Sequence, residues 1–159
     1  MSFPLTNPVV RTIILSIRVN YLLPWGKQGE RGLRIFLNKP FQRFARKEGL
    51  TDQQLCEAVE RAERGLLDAD LGGGVIKQRI ARPGGGRSGG YRSVILYRVN
   101  DLAFFVYGYP KSERENITDE ELKGFKMLAR VMLSYNEEQI RTALEADVLR
   151  EVVCNEQDI

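Results

Sequence analysis

The chain has 159 residues, and none of them is histidine. Histidine is the side chain that exchanges protons near neutral pH, and it is the commonest metal ligand in proteins. Its absence excludes Ser-His-Asp hydrolases, Cys-His proteases, ribonucleases that use paired histidines and every histidine-ligated metal site. If the protein is an enzyme, Lys, Arg, Tyr, Asp or Glu must transfer its protons.

Cysteine is scarce. The chain has only Cys56 and Cys154, which lie 98 positions apart and match no metal-binding or redox spacing. We expect them to be reduced thiols of a cytosolic protein, and a single bridge between them is the alternative.

Long apolar runs are also absent. The β-prone stretch 9–19 is interrupted by Arg11 and Arg18, so it is too short to cross a membrane, and no targeting sequence is evident. We expect a cytoplasmic protein with no membrane partner. Prolines and glycines punctuate residues 1–32, which we predict to be a poorly ordered extension. An extra strand, or upstream coding sequence read from too early a start, are the alternatives.

Charge is distributed unevenly along the chain. The formal net charge is +3, but residues 72–114 hold 8 basic and 2 acidic side chains, whereas residues 115–159 hold 5 basic and 11 acidic ones. The basic block suggests an anionic partner, with nucleic acid as the first candidate. The alternative is a solvated strand surface that the chain's own acidic tail neutralises.

The pattern of capping and alternation predicts an α+β domain in the order β-α-α-β-β-β-α-α. Predicted strands cover residues 33–37, 75–81, 91–99 and 102–109. Predicted helices begin after Asn38, Thr51 and Thr118 and near Asn136, the last of them extending to include Val148. We therefore expect a small antiparallel sheet with an N-terminal α-hairpin and C-terminal helices.

Eight of the 15 glycines fall between Gly72 and Gly90, but neither a P-loop nor a dinucleotide-binding pattern is present. A nucleotide cofactor is therefore not expected. The glycine-rich stretch 83–90 joins two predicted strands as a mobile hairpin tip. It could let Arg82 and Arg87 reach a flexible polyanion, or it could be an ordinary flexible hairpin.

Basic and aromatic side chains are predicted to meet on one sheet surface. Lys77 and Arg79 are two positions apart on a strand, so they project from the same face about 7 Å apart. The surface is completed by residues of the next two strands: Arg92, Tyr107, Tyr109 and Lys111. It could hold a phosphodiester and stack a base. The alternative is a basic face that binds an acidic protein segment without chemistry.

Five segments together resemble the RelE/HigB-like toxins of bacterial type II toxin–antitoxin modules, within the RelE/ParE superfamily. They are residues 44–49 (FARKEG), 77–82 (KQRIAR), 86–92 (GRSGGYR), 105–111 (FVYGYPK) and 112–117 (SERENI). The resemblance implies a RelE-like toxin domain over residues 33–153, followed by a tail of residues 154–159.

The resemblance further implies a toxin that cuts messenger RNA in the ribosomal A site without a metal or other cofactor. The 2′-hydroxyl attacks the adjacent phosphate, which leaves a cyclic phosphate and a free 5′-hydroxyl. The implied partners are the ribosome, messenger RNA and a cognate antitoxin, with which the toxin would form a hetero-oligomer.

Motif matching assigns candidate roles. Lys77 is the candidate base, Arg79 and Arg92 hold the phosphate, and Lys111 stabilises charge or donates a proton. Residues expected to bind RNA are Arg82, Arg87, Tyr91, Tyr107, Tyr109 and Arg114. Only one of the two tyrosines on the last strand is expected to face the site. The acid remains open, with Glu113 and Arg114 as alternatives.

Two other functions remain open from the sequence. One is a ParE-like toxin that inhibits gyrase by protein contact, although such an inhibitor has no need of a phosphate-binding face. The other is an inactive module that binds nucleic acid through its basic surface.

Overall fold

The computed structural model describes residues 32–82 and 89–154. The predicted N-terminal extension lies outside the described residues, as do Arg87 with the glycine-rich residues 83–88 and the end of the C-terminal tail.

The predicted α+β class is confirmed, with four helices and six strands in the described part of the chain. In order they are β1 (Arg34–Asn38), α1 (Lys39–Glu48), α2 (Asp52–Glu63), β2 (Ala69–Gly72), β3 (Val75–Ile80), β4 (Tyr91–Arg98), β5 (Leu102–Pro110), α3 (Asp119–Met132), α4 (Glu137–Glu145) and β6 (Leu149–Val152). None of these helices is both long and apolar enough to cross a membrane.

The helix boundaries follow the capping signals in the sequence. The Asn38 side chain accepts a hydrogen bond from the backbone of α1, and Gly49 ends that helix with φ of 68°. Thr51, Thr118 and Asn136 each form a reciprocal capping box with the residue three positions later. Short polar side chains therefore fix all four helix starts where the sequence predicts them.

The sheet has the strand order β2-β3-β4-β5-β1-β6. Every pairing is antiparallel except that of β1 with β5, where Arg34 lies opposite Leu102. The predicted antiparallel sheet is thus confirmed as a mostly antiparallel one, in which β1 runs beside β5 in the same direction.

Two edge strands were not predicted. Strand β2 has the sequence ADLG, whose composition does not favour a strand, and it exists because it pairs with β3. The last predicted helix was too long: it ends at Glu145, Asp147 adopts a positive φ of 57°, and Val148 leads into β6. Strand β6 then pairs with β1.

The sheet is covered by helices on both faces. On the N-helix face, α1 and α2 pack on side chains such as Ile80, Tyr91 and Phe105. On the C-helix face, α3 and α4 pack on Val94 and Phe104 and their neighbours. Alternation along β3 and β4 assigns each residue to one of these two faces.

A β-bulge changes the alternation within β5. Ile95 pairs with Phe105 and Val94 with Tyr107, so Val106 is the extra residue between them. Beyond the bulge, Gly108 faces Phe44 of α1, while Tyr107 and Tyr109 lie on the C-helix face. The bulge therefore turns both tyrosines away from the face that Phe105 occupies.

The two cysteines are joined in a disulfide, with Cα atoms 5.8 Å apart. The expectation of reduced thiols is therefore wrong, and the alternative of a single bridge is what the structure contains. The reason is tertiary: Cys56 lies in α2, and Cys154 follows β6, which the sheet brings beside that helix.

Candidate active site

The helices cover only part of the C-helix face, and polar side chains occupy another part. Strand register places Arg79 of β3 opposite Arg92 of β4, and Arg92 opposite Tyr109 of β5. In the neighbouring row, Lys77 lies opposite Val94, which lies opposite Tyr107. Cations from two strands and phenols from a third thus share one face.

A cavity of about 300 Å³ lies at this part of the face. Its lining consists of residues from the α2–β2 segment, from β3 and β4, and from the loop after β5: Asp68, Ala69, Lys77, Arg79, Arg92, Lys111, Glu115 and Asn116. The structure therefore brings together all four candidate catalytic residues. Four cations face two carboxylates here, so the cavity favours an anion.

Arg92 is the most deeply placed of these cations. Only 7% of the residue is exposed, and its Nη1 is buried with no hydrogen-bond partner in the described part of the chain. Arg79 lies directly opposite it, and like charges in that position repel each other. A buried guanidinium without a full set of acceptors is costly, and a bound anion would remove that cost.

Asp68 is a cavity residue that the sequence did not indicate. Its carboxylate accepts a hydrogen bond from the Arg79 backbone N–H at 2.5 Å and lies 3.9 Å from Arg79 Nε. Its own backbone N–H donates to the side chain of buried Gln78, which donates in turn to the Ala58 carbonyl. Asp68 is thus fixed against Arg79, and it is the only ion-pair partner of the four candidate cations within residues 32–82 and 89–154.

Asn116 is the second cavity residue that the sequence analysis did not predict. The Lys77 ammonium donates a hydrogen bond to Asn116 Oδ1 over 2.8 Å. The two residues are 39 positions apart. Asn116 lies in the SERENI segment of the resemblance, but neither the segment nor any periodicity assigns it a role at the site. Only the folded loop after β5 reveals the contact.

Both β5 tyrosines lie on the cavity's face, with ring centroids 5.6 Å apart. The expectation that only one would do so is wrong, because side chains two positions apart on a strand project from the same face. The bulge at Val106 decides which face that is. Tyr107 is half-buried, whereas Tyr109 is buried and its hydroxyl donates to the Glu115 carbonyl at 3.3 Å. Burial raises the pKa of the Tyr109 phenol, so it stays protonated near neutral pH.

Arg114 is held by its own surroundings. Its guanidinium donates to both carboxylate oxygens of Glu121, at 2.6 and 3.1 Å, and to the Tyr107 hydroxyl at 3.0 Å. The hydrogen bond from Arg114 lowers the pKa of Glu121 to about 2, and the same bond raises the pKa of Arg114. A guanidinium so stabilised in its charged form does not suit the role of proton donor.

Some predicted RNA-binding residues lie away from the cavity. Tyr91 is 4% exposed on the N-helix face, edge-on to Phe44, and the Arg82 guanidinium lies 5.5 Å from its ring. The prediction that Tyr91 offers a ring to RNA at the site is therefore not supported by its position. Glu113 and Arg114 line a second cavity of about 300 Å³, whose other residues include Arg43, Lys47 and Tyr107.

Comparison with known proteins agrees with this architecture. A family model described as the RelE toxin of the RelE/RelB toxin–antitoxin system matches residues 33–152, which run from the residue before β1 to the end of β6. No curated protein matches the chain. The chain therefore belongs to the RelE toxin family, a family of toxin–antitoxin toxins whose members have a cognate antitoxin as partner.

Proposed function

We propose that the protein is an endoribonuclease that cuts messenger RNA on the ribosome, and that the cavity between β3, β4 and the loop after β5 is its active site. The observation that carries the proposal is the buried, unpartnered Nη1 of Arg92 beside three other cations. Family membership supports the same reaction class, because RelE toxins are generally endoribonucleases.

A phosphodiester fits the charge of this cavity. Its anionic oxygens accept hydrogen bonds from a guanidinium in two parallel contacts, which is the pairing that arginine forms best. Arg92 and Arg79 lie opposite each other on paired strands, so they could hold one phosphate from two directions. The fixed carboxylate of Asp68 would keep Arg79 in place while Arg92 remains available.

The reaction requires one proton to leave and one to arrive. As Lys77 takes the proton of the 2′-hydroxyl, that oxygen forms a bond to phosphorus and the bond from phosphorus to the 5′-oxygen breaks. A proton delivered to the 5′-oxygen completes the products, a 2′,3′-cyclic phosphate and a 5′-hydroxyl.

Lys111 is the remaining cation of the cavity, and we assign it to the developing charge or to the leaving oxygen. It is exposed on the loop after β5, and it makes no salt bridge in the described part of the chain. Amines and guanidinium groups are weak acid–base catalysts near neutral pH. We therefore infer that the reaction depends on the ribosome to align the attacking oxygen with the phosphate.

Tyr107 and Arg114 are our candidates for contacts with the nucleotides beside the cut. They lie together at the second cavity, with Arg43 and Lys47 on the adjacent helix. A half-exposed phenol next to cations can stack on a base while the cations bind the backbone.

The test is primer extension on translated messages after induction of the toxin. We expect cuts at defined positions with the natural protein, and a loss of about 100-fold or more with Arg92→Ala or Lys77→Ala. Arg141→Ala is the matched control, because Arg141 is an exposed cation of α4 that is absent from the cavity lining. Thermal unfolding establishes that each variant folds. Arg92→Lys is a second variant, which keeps the buried charge but removes the planar guanidinium that binds a phosphate through two parallel hydrogen bonds.

Three results would overturn the proposal. Cleavage by Arg92→Ala and Lys77→Ala at the natural rate would remove the cavity from the reaction. Gyrase-dependent DNA damage without cuts in the message would assign the protein to the ParE-like class. Absence of both growth arrest and cleavage with the natural protein would leave an inert nucleic-acid-binding module.

A further inference from the structure

The ammonium of Lys77 is held by a neutral partner although carboxylates are near. Asp68 and Glu115 both line the cavity, yet the hydrogen bond that Lys77 makes in the described part of the chain goes to the side-chain oxygen of Asn116. An amide oxygen orients an amine through its dipole. It lacks the full negative charge with which a carboxylate holds a lysine in its protonated form.

Asn116 is itself fixed by contacts with Arg114. The Nε of Arg114 donates to the backbone carbonyl of Asn116 at 3.0 Å, while the other guanidinium nitrogens bind Glu121 and Tyr107. Glu121 belongs to the capping box of α3, where its carboxylate accepts from the Thr118 backbone N–H at 2.7 Å. The chain of contacts therefore runs from the start of a helix to the amine of Lys77.

The residue before Asn116 is tied to the sheet as well. The buried Tyr109 hydroxyl donates to the Glu115 carbonyl, which attaches the loop to β5. The hydrogen bond from Arg114 to the next carbonyl is a second attachment. An exposed loop with two such attachments keeps its side chains in a defined place. Ordering a loop before the substrate arrives reduces the cost of aligning the reacting groups.

We propose that Asn116 is a positioning residue that holds the amine of Lys77 in the cavity, and that Arg114 and Glu121 fix Asn116 for this purpose. The proposal rests on the function proposed above, in which Lys77 is the base. Asn116 supplies an acceptor that directs the amine without adding a negative charge beside it.

Two substitutions of Asn116 separate positioning from mere structure. Asn116→Ala removes the acceptor, and we expect the single-turnover rate of message cleavage on ribosomes to fall about 10- to 100-fold with little change in KM. Asn116→Asp places a carboxylate within 3 Å of the amine and favours its protonated form, so the rising limb of the pH–rate profile should move up by about 1 pH unit or more. The other charged groups that face Lys77 in the cavity are unchanged in both variants: Asp68, Arg79, Arg92, Lys111 and Glu115.

Glu121→Gln tests the second half of the proposal. It removes the charge that holds Arg114, so the cleavage rate should fall, as it does in Asn116→Ala. The rising limb of the pH–rate profile should stay where it is in the natural protein. Ser112→Ala is the matched control, since Ser112 lies exposed in the same loop and its side chain makes no hydrogen bond in the described part of the chain.

The outcomes distinguish a failure of the role of Asn116 from a failure of the proposed function. If Lys77→Ala cleaves normally, or the natural protein does not cleave at all, the proposed function fails. If Lys77→Ala is inactive while Asn116→Ala and Asn116→Asp keep the natural rate and pH profile, only the role of Asn116 is overturned. A rate loss in Asn116→Ala equal to that in Ser112→Ala would also overturn it.

Discussion

Gly108 is a residue of β5 that lies directly against α1. A Cβ atom placed on it would lie 2.4 Å from two ring carbons of Phe44 and 2.9 Å from one of Phe41. Phe41 is fully buried and Phe44 packs edge-on against Tyr91, so neither ring can move without disturbing its neighbours. Any side chain at position 108 would therefore compete with the packing of α1.

We expect Gly108→Ala to lower the free energy of unfolding by about 1–3 kcal/mol, which is the usual cost of overfilling a packed core. The midpoint of urea unfolding should fall while the slope stays the same. Gly124→Ala is the control, because nothing lies within 4 Å of a Cβ placed there and the position is inside α3. That change should stabilise the protein by about 0.5–1 kcal/mol. Equal midpoints for Gly108→Ala and the natural protein would show that α1 can shift away from β5 without loss of stability.

Single residues of the site were predictable where a local rule applied. Two-residue spacing placed Lys77 and Arg79 on one face, and strand order brought Arg92 next to them, as the structure shows. Asp68 and Asn116 were not predictable, because each reaches the cavity from a loop whose path depends on the whole fold.

At the scale of the element, the start of α3 serves two purposes. The Glu121 carboxylate caps the helix and also binds Arg114, and these hydrogen bonds lower the pKa of Glu121 to about 2. A carboxyl whose pKa falls on folding stabilises the folded state above its ordinary range. This stabilisation is lost as the pH falls toward the folded value.

Glu121→Gln should therefore unfold at a lower urea concentration than the natural protein near neutral pH. The difference should shrink between about pH 4.5, the ordinary value for glutamate, and about pH 2, where the natural carboxyl is protonated as well. Glu120→Gln is the control, since Glu120 lies in the same first turn of α3 but makes no ion pair with Arg114. A difference between the Glu121→Gln variant and the natural protein that is constant over this pH range would contradict the assignment.

Elements with strong local signals were predicted, and those that depend on distant partners were not. Capping residues located all four helices, alternation located β3, and β-branched and aromatic content located β4. Strand β2 and strand β6 have four residues each and are held by pairing with β3 and β1. The bulge at Val106 has no sequence marker, although it decides which face Tyr107 and Tyr109 occupy.

At the scale of the whole molecule, the acidic C-terminal third makes no ion pair with the cations of the cavity in the described part of the chain. Apart from the loop–α3 contact and the pair of Arg141 with Glu138 inside α4, its ion pairs among the described residues join it to the N-terminal part of the domain: Arg34 with Glu137 and Glu151, Lys39 with Asp147, and Arg150 with Asp52. Within the described part of the chain, Lys77, Arg92 and Lys111 make no such pair. The reading of the basic block as a self-neutralised surface is thus not favoured, and the positive charge remains available to an external anion.

The disulfide connects two residues that are far apart in the sequence. It joins α2 to the residues after β6 across 98 positions, and the ion pair of Arg150 with Asp52 links the same two regions. Closing a loop of this length removes many conformations from the unfolded chain, which corresponds to about 4 to 5 kcal/mol by the chain-entropy relation. The bridge therefore stabilises the folded position of the edge strand β6 against α2.

We expect reduction of Cys56–Cys154 to lower the free energy of unfolding by up to this amount, about 4 to 5 kcal/mol. Urea unfolding with and without a reductant measures the effect, with thiol labelling to establish the redox state of each sample. The Cys56→Ala/Cys154→Ala double variant is the control: it should unfold near the midpoint of the reduced natural protein and should not respond to reductant. If the oxidised and reduced natural proteins unfold at the same midpoint, the sheet edge formed by β6 holds without its covalent link, and its pairing with β1 must supply that stability alone.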